Sequence, residues 1–457
     1  MDIDCRVVKN LNNNELKSRI LSSQIIFKSY SRNRRLSDVI AETFRKEGNT
    51  LTLNEKRFIT ELVNGTVRMS GRLDWEISSV FRGNYKKLQD RLKIIMKIGL
   101  YQIRYMDSIP DYAAVSTTVK ISKILNYKFG GLANAVLRSL LSSLNEIDPG
   151  NNSDINELAM YLSHPAWLIK RWIHFFSKDN AFELANWNNK KPITTFRVNS
   201  INYSNQDFIT YLKEKNIEFI QNKHLKHFFH IKESQTILKS RIFQDGNVSV
   251  QDVAAALVVK LLSPNNNDII LDYCSAPGGK TTYISELLKN KGEIVAFDKS
   301  KERLNRLRNN IKRLKLTNIK IITSDIDKEL NIKRFTKILV DAPCSGTGVL
   351  SKRADLRWRK SYDDILEMSL IQLEILSKCA KFLIPGGVLV YSTCSLEPEE
   401  NWGVVKKFLK IHRNFKVHYG NQYIEKKYID DKGALFTWPP KHGIDGGFAI
   451  RLKHNID

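Results

Sequence analysis

The chain has 457 residues, carries 73 Lys and Arg against 48 Asp and Glu for a formal net charge of +25, and has a sequence pI near 9.7. That length exceeds one ordinary domain and favours two or three, while no apolar run reaches the ~18 residues needed to cross a bilayer and the opening Met1-Asp-Ile-Asp-Cys-Arg6 has no signal-peptide core; a cytoplasmic protein without membrane contact is expected. Cys5, Cys274, Cys344, Cys379 and Cys394 form neither a Cys-x-x-Cys pair nor a cysteine–histidine cluster at zinc-finger spacing, which argues against a disulfide framework or a structural metal.

Residues 1–145 read as all-helical. Leu16, Ile20, Phe27 and Tyr30 recur at helical spacing, as do Leu92, Ile95, Met96, Gly99, Leu100 and Ile103, and again Leu132, Val136, Leu137, Leu140 and Leu144. Ser37-Asp38 is the expected N-cap of a helix continuing through Val39-Ile40, and Ile109-Pro110-Asp111 marks a break. The turn-rich stretch Asp148 to Asp154 sets a domain boundary near residue 150, after which a helix runs from Trp167 to Phe176. Residues 146–245 then read as a linker and a small α+β segment, with strands at Thr194–Val198, Phe228–Ile231 and Thr236–Lys239 and a helix at 205–215. Excess Lys and Arg suit a polyanionic partner, yet richness in Lys, Asn and Ile also follows from A/T-rich codons, so charge alone divides evenly between the two accounts.

From residue 246 to 457 strands and helices alternate. Asp252–Leu262 is a helix, 268–272 a strand, Ser275–Thr281 a loop before a helix at Thr282–Lys289, and 293–298 the next strand. A basic helix to Leu314 and a third strand from Ile319 toward Asp325 follow. This rhythm specifies an α/β doubly wound, mostly parallel sheet, in which ligands sit beyond the carboxyl ends of the strands. At such ends stand Asp341 and Cys344, after the apolar strand Lys337–Val340, and Cys394, after Gly387–Tyr391. Most free cysteines are inert small hydrophobes; two at strand ends of one sheet point instead to chemistry. In the order 3-2-1-4-5 the strand leading to Cys394 lies beside the one leading to Cys344.

The loop Cys274-Ser275-Ala276-Pro277-Gly278-Gly279-Lys280 follows a strand and precedes a helix, so a ligand can approach its backbone closely. Neither the P-loop spacing nor Gly-x-Gly-x-x-Gly is present, which disfavours phosphates. Asp298, at the tip of the next strand, is where a carboxylate accepts ribose hydroxyls, and Asp325, at the third tip, suits an adenine amino group. A nucleoside without phosphates fits, and S-adenosylmethionine is the obvious such cofactor.

Leu271-Asp-Tyr-Cys-Ser-Ala-Pro-Gly-Gly-Lys-Thr-Thr282, Asp341-Ala-Pro-Cys-Ser-Gly-Thr-Gly348, Asp355-Leu-Arg-Trp358 and Ser392-Thr-Cys-Ser395 resemble the successive motifs of RNA cytosine-C5 methyltransferases. Asn64-Gly-Thr-Val-Arg68, Leu73-Asp-Trp75, Gly99-Leu-Tyr-Gln102, Ala133–Arg138 and His164-Pro-Ala-Trp167 resemble the NusB-like helical domain of the RsmB-type bacterial 16S rRNA enzymes, so the likeness spans nearly the whole chain. Arg353-Ala354 stands where that family usually has His-Pro, and Ser324-Asp325-Ile326-Asp327 lacks the usual glycine, which leaves open whether Asp325 or Asp327 faces the adenine.

The resemblance implies a class I methyltransferase domain at 246–457 behind a NusB-like RNA-binding domain at 1–145. It also implies S-adenosylmethionine as methyl donor, transfer to C5 of a cytosine in 16S ribosomal RNA, and a monomer working on naked RNA or early small-subunit particles. Cys394 would be the nucleophile, Cys344 the thiol assisting product release, and Asp341 with Lys280 the contacts to cytosine; Lys280 and Asp341 would also border the cofactor. The reading from a different class is a non-catalytic ribosome-assembly factor on a methyltransferase scaffold. Methylation of an amino group typically uses an Asn/Asp-Pro-Pro-aromatic loop, whereas this loop is Asp-Ala-Pro-Cys.

Overall fold

Helical periodicity before residue 190 and β-branched runs alternating with helices after it fold into two different kinds of layer. The computed structural model describes residues 14–143, 149, 154–323 and 334–456, and the chain divides into two compact units. One runs to Lys190 and also takes in Leu350–Arg359; the other comprises Lys191–Val349 and Lys360–Asp457.

The first unit is helical: α1 (Asn14–Ser31), α2 (Leu36–Glu47), α3 (Leu53–Arg68), α4 (Ser70–Val80), α5 (Asp90–Tyr105), α6 (Asp111–Leu125), α7 (Tyr127–Ser143), α8 (Ile155–Tyr161), α9 (Ala166–Phe176) and α10 (Lys178–Asn189). The stripes read from the sequence meet in one core, with Ile20, Leu62, Leu92, Met96, Leu100 and Leu137 fully buried. Gly99 lets α5 approach α6, since a Cβ there would collide with the Thr118 side chain. The expected cap at Ser37-Asp38 is displaced: α2 already begins at Leu36, with Arg35 at the N-cap position, and the Leu36 N–H is met by Asp355 Oδ2 at 3.2 Å. A carboxylate distant in sequence thus does the work of the local cap.

Asp355 belongs to the Asp-Leu-Arg-Trp motif, which is spent entirely inside this unit. Arg357 is fully buried and donates to the carbonyls of Ser163 and Asn188, each at 2.9 Å, of Arg68 at 3.3 Å and of Leu350 at 3.4 Å, and to Asn189 Oδ1 at 2.7 Å. Burial, with the charge of Arg68, pushes its guanidinium down to about 9. Trp358 Nε1 donates to the Val67 carbonyl at 2.9 Å.

The second unit contains two sheets. In the smaller one, β1 (Thr194–Val198), β2 (Phe219–Gln221), β3 (Phe228–Ile231) and β4 (Val248–Val250) are antiparallel in the order β2-β3-β1-β4, with α11 (Asn205–Glu214) packed on them through Phe196, Phe208 and Phe229. The strand expected at Thr236–Lys239 is a short helix, Ser234–Leu238; only Ile237 of that helix is buried, and the edge of the sheet is held by β2, a strand not anticipated.

The larger sheet holds β5 (Ile269–Asp272), β6 (Glu293–Phe297), β7 (Ile319–Ile322), β8 (Phe335–Asp341), β9 (Leu383–Thr393), β10 (Phe415–Val417), β11 (Leu435–Thr437) and β12 (Gly447–His454). Its order is β10-β12-β9-β8-β5-β6-β7, with β11 on β12; β5 to β9 are mutually parallel and β12 runs antiparallel beside β9. Alternate residues feed opposite faces. Ile270, Leu339 and Val390 pack under α12 (Val253–Leu262) and α13 (Gly279–Leu287), whereas Leu271, Ile338 and Tyr391 pack under α15 (Tyr362–Ala380) and α16 (Trp402–Ile411). Between α13 and α15 in sequence, α14 (Lys301–Leu314) covers β6 and β7 through Leu304 and Leu307. Cys379 is a buried part of the α15 packing.

The two sheets of this unit are joined by a buried charge pair. Arg197 of β1 contacts Glu286 of α13 at 2.6 Å, and both side chains are at most 1% exposed. Replacing Arg197 by Met strands the carboxylate and is expected to cost about 3–5 kcal/mol in urea unfolding, whereas Arg197→Met with Glu286→Leu recovers most of that loss; equal destabilisation of the two variants would show that the charges are not what matters.

Candidate active site

The larger sheet converts sequence spacing into proximity. β8 and β9 are neighbours in parallel register, with Asp341 opposite Ser392, and the pairing continues past the strands through Ala342 N–H to the Ser392 carbonyl at 2.9 Å and Gly348 N–H to the Cys394 carbonyl at 3.0 Å. The two loops are therefore zipped together, and the Sγ atoms of Cys344 and Cys394 lie 3.2 Å apart. The Cys344 thiol is pushed well up by its hydrogen bond with Cys394 and by burial, with the charges of Cys394 and Glu400 adding to the rise. Cys344 is thus held as a thiol.

Asp341 is fixed through both oxygens: Lys280 Nζ reaches Oδ2 at 2.6 Å and Ser392 Oγ donates to Oδ1 at 2.9 Å. The helix after the glycine loop starts at Gly279 rather than at the expected Thr282, because Gly278, at a φ of 103°, turns the chain directly into α13. Lys280 accordingly occupies the first helical turn, where the helix dipole disfavours a cation. Burial works against the Lys280 charge too, but Asp341 outweighs it and holds the ammonium above its ordinary range, with Cys394 contributing in the same direction. Lys280 is thus paired with Asp341.

The loop at 274–280 is braced from three sides. Ser275 N–H meets the Phe297 carbonyl at 2.9 Å, Asn310 Nδ2 meets the Pro277 carbonyl at 3.1 Å, and the Gly279 carbonyl accepts from Arg197 Nη1 and from Gln251 Nε2, each at 3.1 Å. Asp298 is almost fully buried: it accepts from Ala276 N–H at 3.1 Å and Ser300 N–H at 2.9 Å, with Arg303 Nη1 at 3.3 Å, so it ties the loop to the start of α14. Asp325 and Asp327 lie outside the described residues.

Sequence reasoning missed Asp272 and Glu400. Asp272, at the tip of β5, is fully buried; its Oδ2 accepts from Thr281 Oγ1 at 2.7 Å, while Oδ1 is buried with no hydrogen-bond partner among the described residues. Burial, with Asp341 adding to it, lifts this carboxyl to about 7. Burial also pushes the Cys274 thiol up, followed by the charges of Asp341, Asp272 and Asp298. Three carboxylates around a glycine turn, one with an unmet acceptor, fit a ligand carrying an ammonium and a sulfonium. Asp272 could have been noticed as an acidic residue ending an apolar strand directly before the glycine loop.

Three family descriptions match successive stretches of this chain: the NusB family over residues 16–142, the RsmF/B-like methyltransferase ferredoxin-like domain over 164–237, and the 16S rRNA methyltransferase RsmB/F over 259–453. The probable ribosomal RNA small subunit methyltransferase B of Bacillus subtilis (strain 168) is 32% identical over 422 residues, 89% of this chain and 92% of the relative. The chain belongs to the RsmB/F family of 16S rRNA methyltransferases. Ribosomal RNA small subunit methyltransferase B of Proteus mirabilis (strain HI4320) is 33% identical over 401 residues, covering 87% of this chain and 92% of the relative. Among solved structures, the crystal structure of PH0851 superposes with a TM-score of 0.77 at 27% identity over 95% of this chain and 98% of the other. A methyltransferase homologue from Pyrococcus horikoshii gives 0.57 at 29% identity over 66% and 98%. As an RsmB/F member the chain is an S-adenosylmethionine-dependent ribosomal RNA methyltransferase. Among the described residues no helix is long and apolar enough to cross a membrane, and no His/Cys/Asp/Glu group could hold a metal ion.

The Asp272 carboxyl yields a test. A buried acid whose folded value is raised stabilises the fold below the pH at which an exposed aspartate ionises, and that contribution is lost as pH rises toward about 7. Relative to Asp272→Asn, the wild type should therefore lose stability between about pH 4 and 7 by on the order of a few kcal/mol, read from thermal unfolding at stepped pH. The same variant should weaken S-adenosylmethionine binding at least about tenfold in calorimetry, since a charge-assisted contact is lost; a constant stability difference across that range would mean that Asp272 ionises like a surface residue.

Proposed function

We propose that the chain methylates C5 of a cytosine in 16S ribosomal RNA through a covalent adduct between Cys394 and C6. The observation that carries this reading is the pair of thiols 3.2 Å apart, next to a carboxylate held by a lysine. Cytosine C5 is too electron-poor to attack a sulfonium methyl unaided. Addition of the Cys394 thiolate to C6 turns the ring into an enamine whose C5 is nucleophilic. N3 takes up the proton that Cys394 gives up, and Asp341, fixed by Lys280 and Ser392, accepts a hydrogen bond from that N3–H and so assists the addition. S-adenosylmethionine, when bound along the 274–280 loop with Asp272, Asp298 and Asp341 about it, supplies the methyl group.

Product release then needs a proton to leave C5 and the sulfur to leave C6. Cys344 gives its proton to the departing Cys394 sulfur and, as the thiolate so formed, takes the C5 proton, whose electron pair restores the C5–C6 double bond. The division of roles between the two cysteines is the one the family resemblance implies; the charge interaction of Lys280 with Cys394, and the hydrogen bond and burial that push the Cys344 thiol up, are compatible with it. The target base must be unstacked to reach these groups, which single-stranded regions of RNA permit at low cost.

This assignment separates the two cysteines in one experiment. With S-adenosylmethionine and RNA, Cys344→Ala should form the adduct and release it slowly, giving a retarded protein–RNA band on a denaturing gel; Cys394→Ala should give no band, and both should lose at least about 100-fold in turnover. A band from Cys394→Ala only would reverse the roles. A 5-fluorocytosine substrate, which cannot release its C5 substituent as a proton, traps the wild-type adduct and serves as the control.

The helical residues 1–145 act in this reading as the platform for the RNA backbone, and residues 246–457 read the flipped base. Arg82, Lys86 and Lys87 are exposed in the helical unit. Replacing all three by Gln should make the log–log dependence of RNA affinity on salt shallower by about 2; an unchanged slope would return the basic character of this region to codon composition.

A further inference from the structure

Beneath the two cysteine loops lies a carboxylate that the proposed chemistry does not use. Glu400 is fully buried, and four donors from three segments converge on its two oxygens. Ser345 N–H donates at 2.8 Å and Gln372 Nε2 at 3.0 Å to Oε1, while the hydroxyls of Ser345 and Ser395 both donate to Oε2. Ser345 is the residue after Cys344, and Ser395 is the residue after Cys394. One side chain therefore grips both loops at the position next to each thiol.

We propose that Glu400 is a positioning residue that holds the Cys344 and Cys394 loops in the register needed for the two thiols to exchange a proton. Its own support is close-set: Gln372 Nε2 also donates to the Pro343 carbonyl at 2.8 Å, and the Tyr391 hydroxyl lies 2.5 Å from the Glu400 carbonyl, to which it donates, and 3.0 Å from Gln372 Oε1. Ser345 Oγ and Ser395 Oγ are themselves 3.1 Å apart, and Thr347 Oγ1 accepts from Leu396 N–H at 3.0 Å, closing the loops on each other. Taking a carboxylate out of water is costly, so a core needing only hydrogen-bonded serines would do better with a neutral group. A charged acceptor at this point gives instead short, strongly oriented bonds that fix both hydroxyls and the intervening backbone.

The proposal rests on the reading that the two thiols act as a pair, but it can be tested without turnover. In the full-length protein free of RNA and S-adenosylmethionine, diamide oxidises two adjacent thiols to a disulfide and is itself reduced to the hydrazine, so its rate of producing the Cys344–Cys394 peptide cross-link, followed by mass spectrometry, reports how well the pair is held. Glu400→Gln should slow the cross-link at least tenfold and lower kcat at least tenfold, with KM for S-adenosylmethionine within twofold of wild type. Ser345→Ala with Ser395→Ala, which leaves Glu400 in place, should act in the same direction and decides the matter if Glu400→Gln does not fold. Cross-linking and kcat at wild-type levels in a folded variant would overturn the proposal and reduce Glu400 to a core acceptor. Slower cross-linking combined with a covalent RNA adduct in Cys394→Ala would sustain the role of Glu400 while removing the cysteine assignment beneath it.

Discussion

The parallel pairing of β8 with β9 is the constraint from which the site follows. Because the pair is in register, with Asp341 opposite Ser392, the loop after each strand leaves the sheet at the same height, and residues about 50 positions apart in sequence come into contact. Parallel strands require a crossover, and α15 supplies it, burying its apolar face on the same side of the sheet as Tyr391 and Ile338. The crossover also brings Gln372 under the two loops. Packing that any doubly wound sheet needs is thus the packing that orders the thiols.

Three buried charges in this protein repeat one logic: each is surrounded by donors or acceptors from several segments. Arg197 meets Glu286, Gln251, Thr282 and the Gly279 carbonyl; Arg357 meets carbonyls alone; Glu400 meets only donors. Such groups contribute little net stability beside apolar replacements of the same volume, but removing one partner leaves the other uncompensated. They fix geometry more than they add free energy, and two of the three bear directly on the loops at the strand tips.

The sequence made much of this architecture legible because periodicity reports burial. The stripes at Leu92 to Ile103 and Leu132 to Leu140 are core stripes, and the short apolar runs near Asp272, Asp341 and Cys394 are central strands. Lys280, Asp341, Cys344 and Cys394 could be proposed together because each is a reactive residue type at a strand end or helix start. What escaped the sequence has a common character. The Leu36 cap is supplied by Asp355 from across the chain, β2 is a three-residue strand with no periodicity to detect, and the two serines beside the cysteines look like ordinary loop residues until Glu400 is seen between them. Asp298, a ribose acceptor by its place at a strand tip, also has partners that no local pattern shows: Ala276, Ser300 and Arg303. Local pattern carries secondary structure; it does not carry partners brought in from a distance.

The segment Leu350–Arg359 gives the helical unit a discontinuous chain, and that bears on its synthesis. A ribosome that has released only the first 190 residues has made α1 to α10 but not the side chains that complete them. The carbonyls of Arg68, Ser163 and Asn188 still lack the Arg357 guanidinium, the Leu36 N–H lacks Asp355, and the Val67 carbonyl lacks Trp358. The unit that begins first therefore cannot be finished first: its last tenants arrive after β8 has been translated. Vectorial folding of this chain is obliged to wait, with the helical layers assembled but unsealed until well over half of the second unit has emerged.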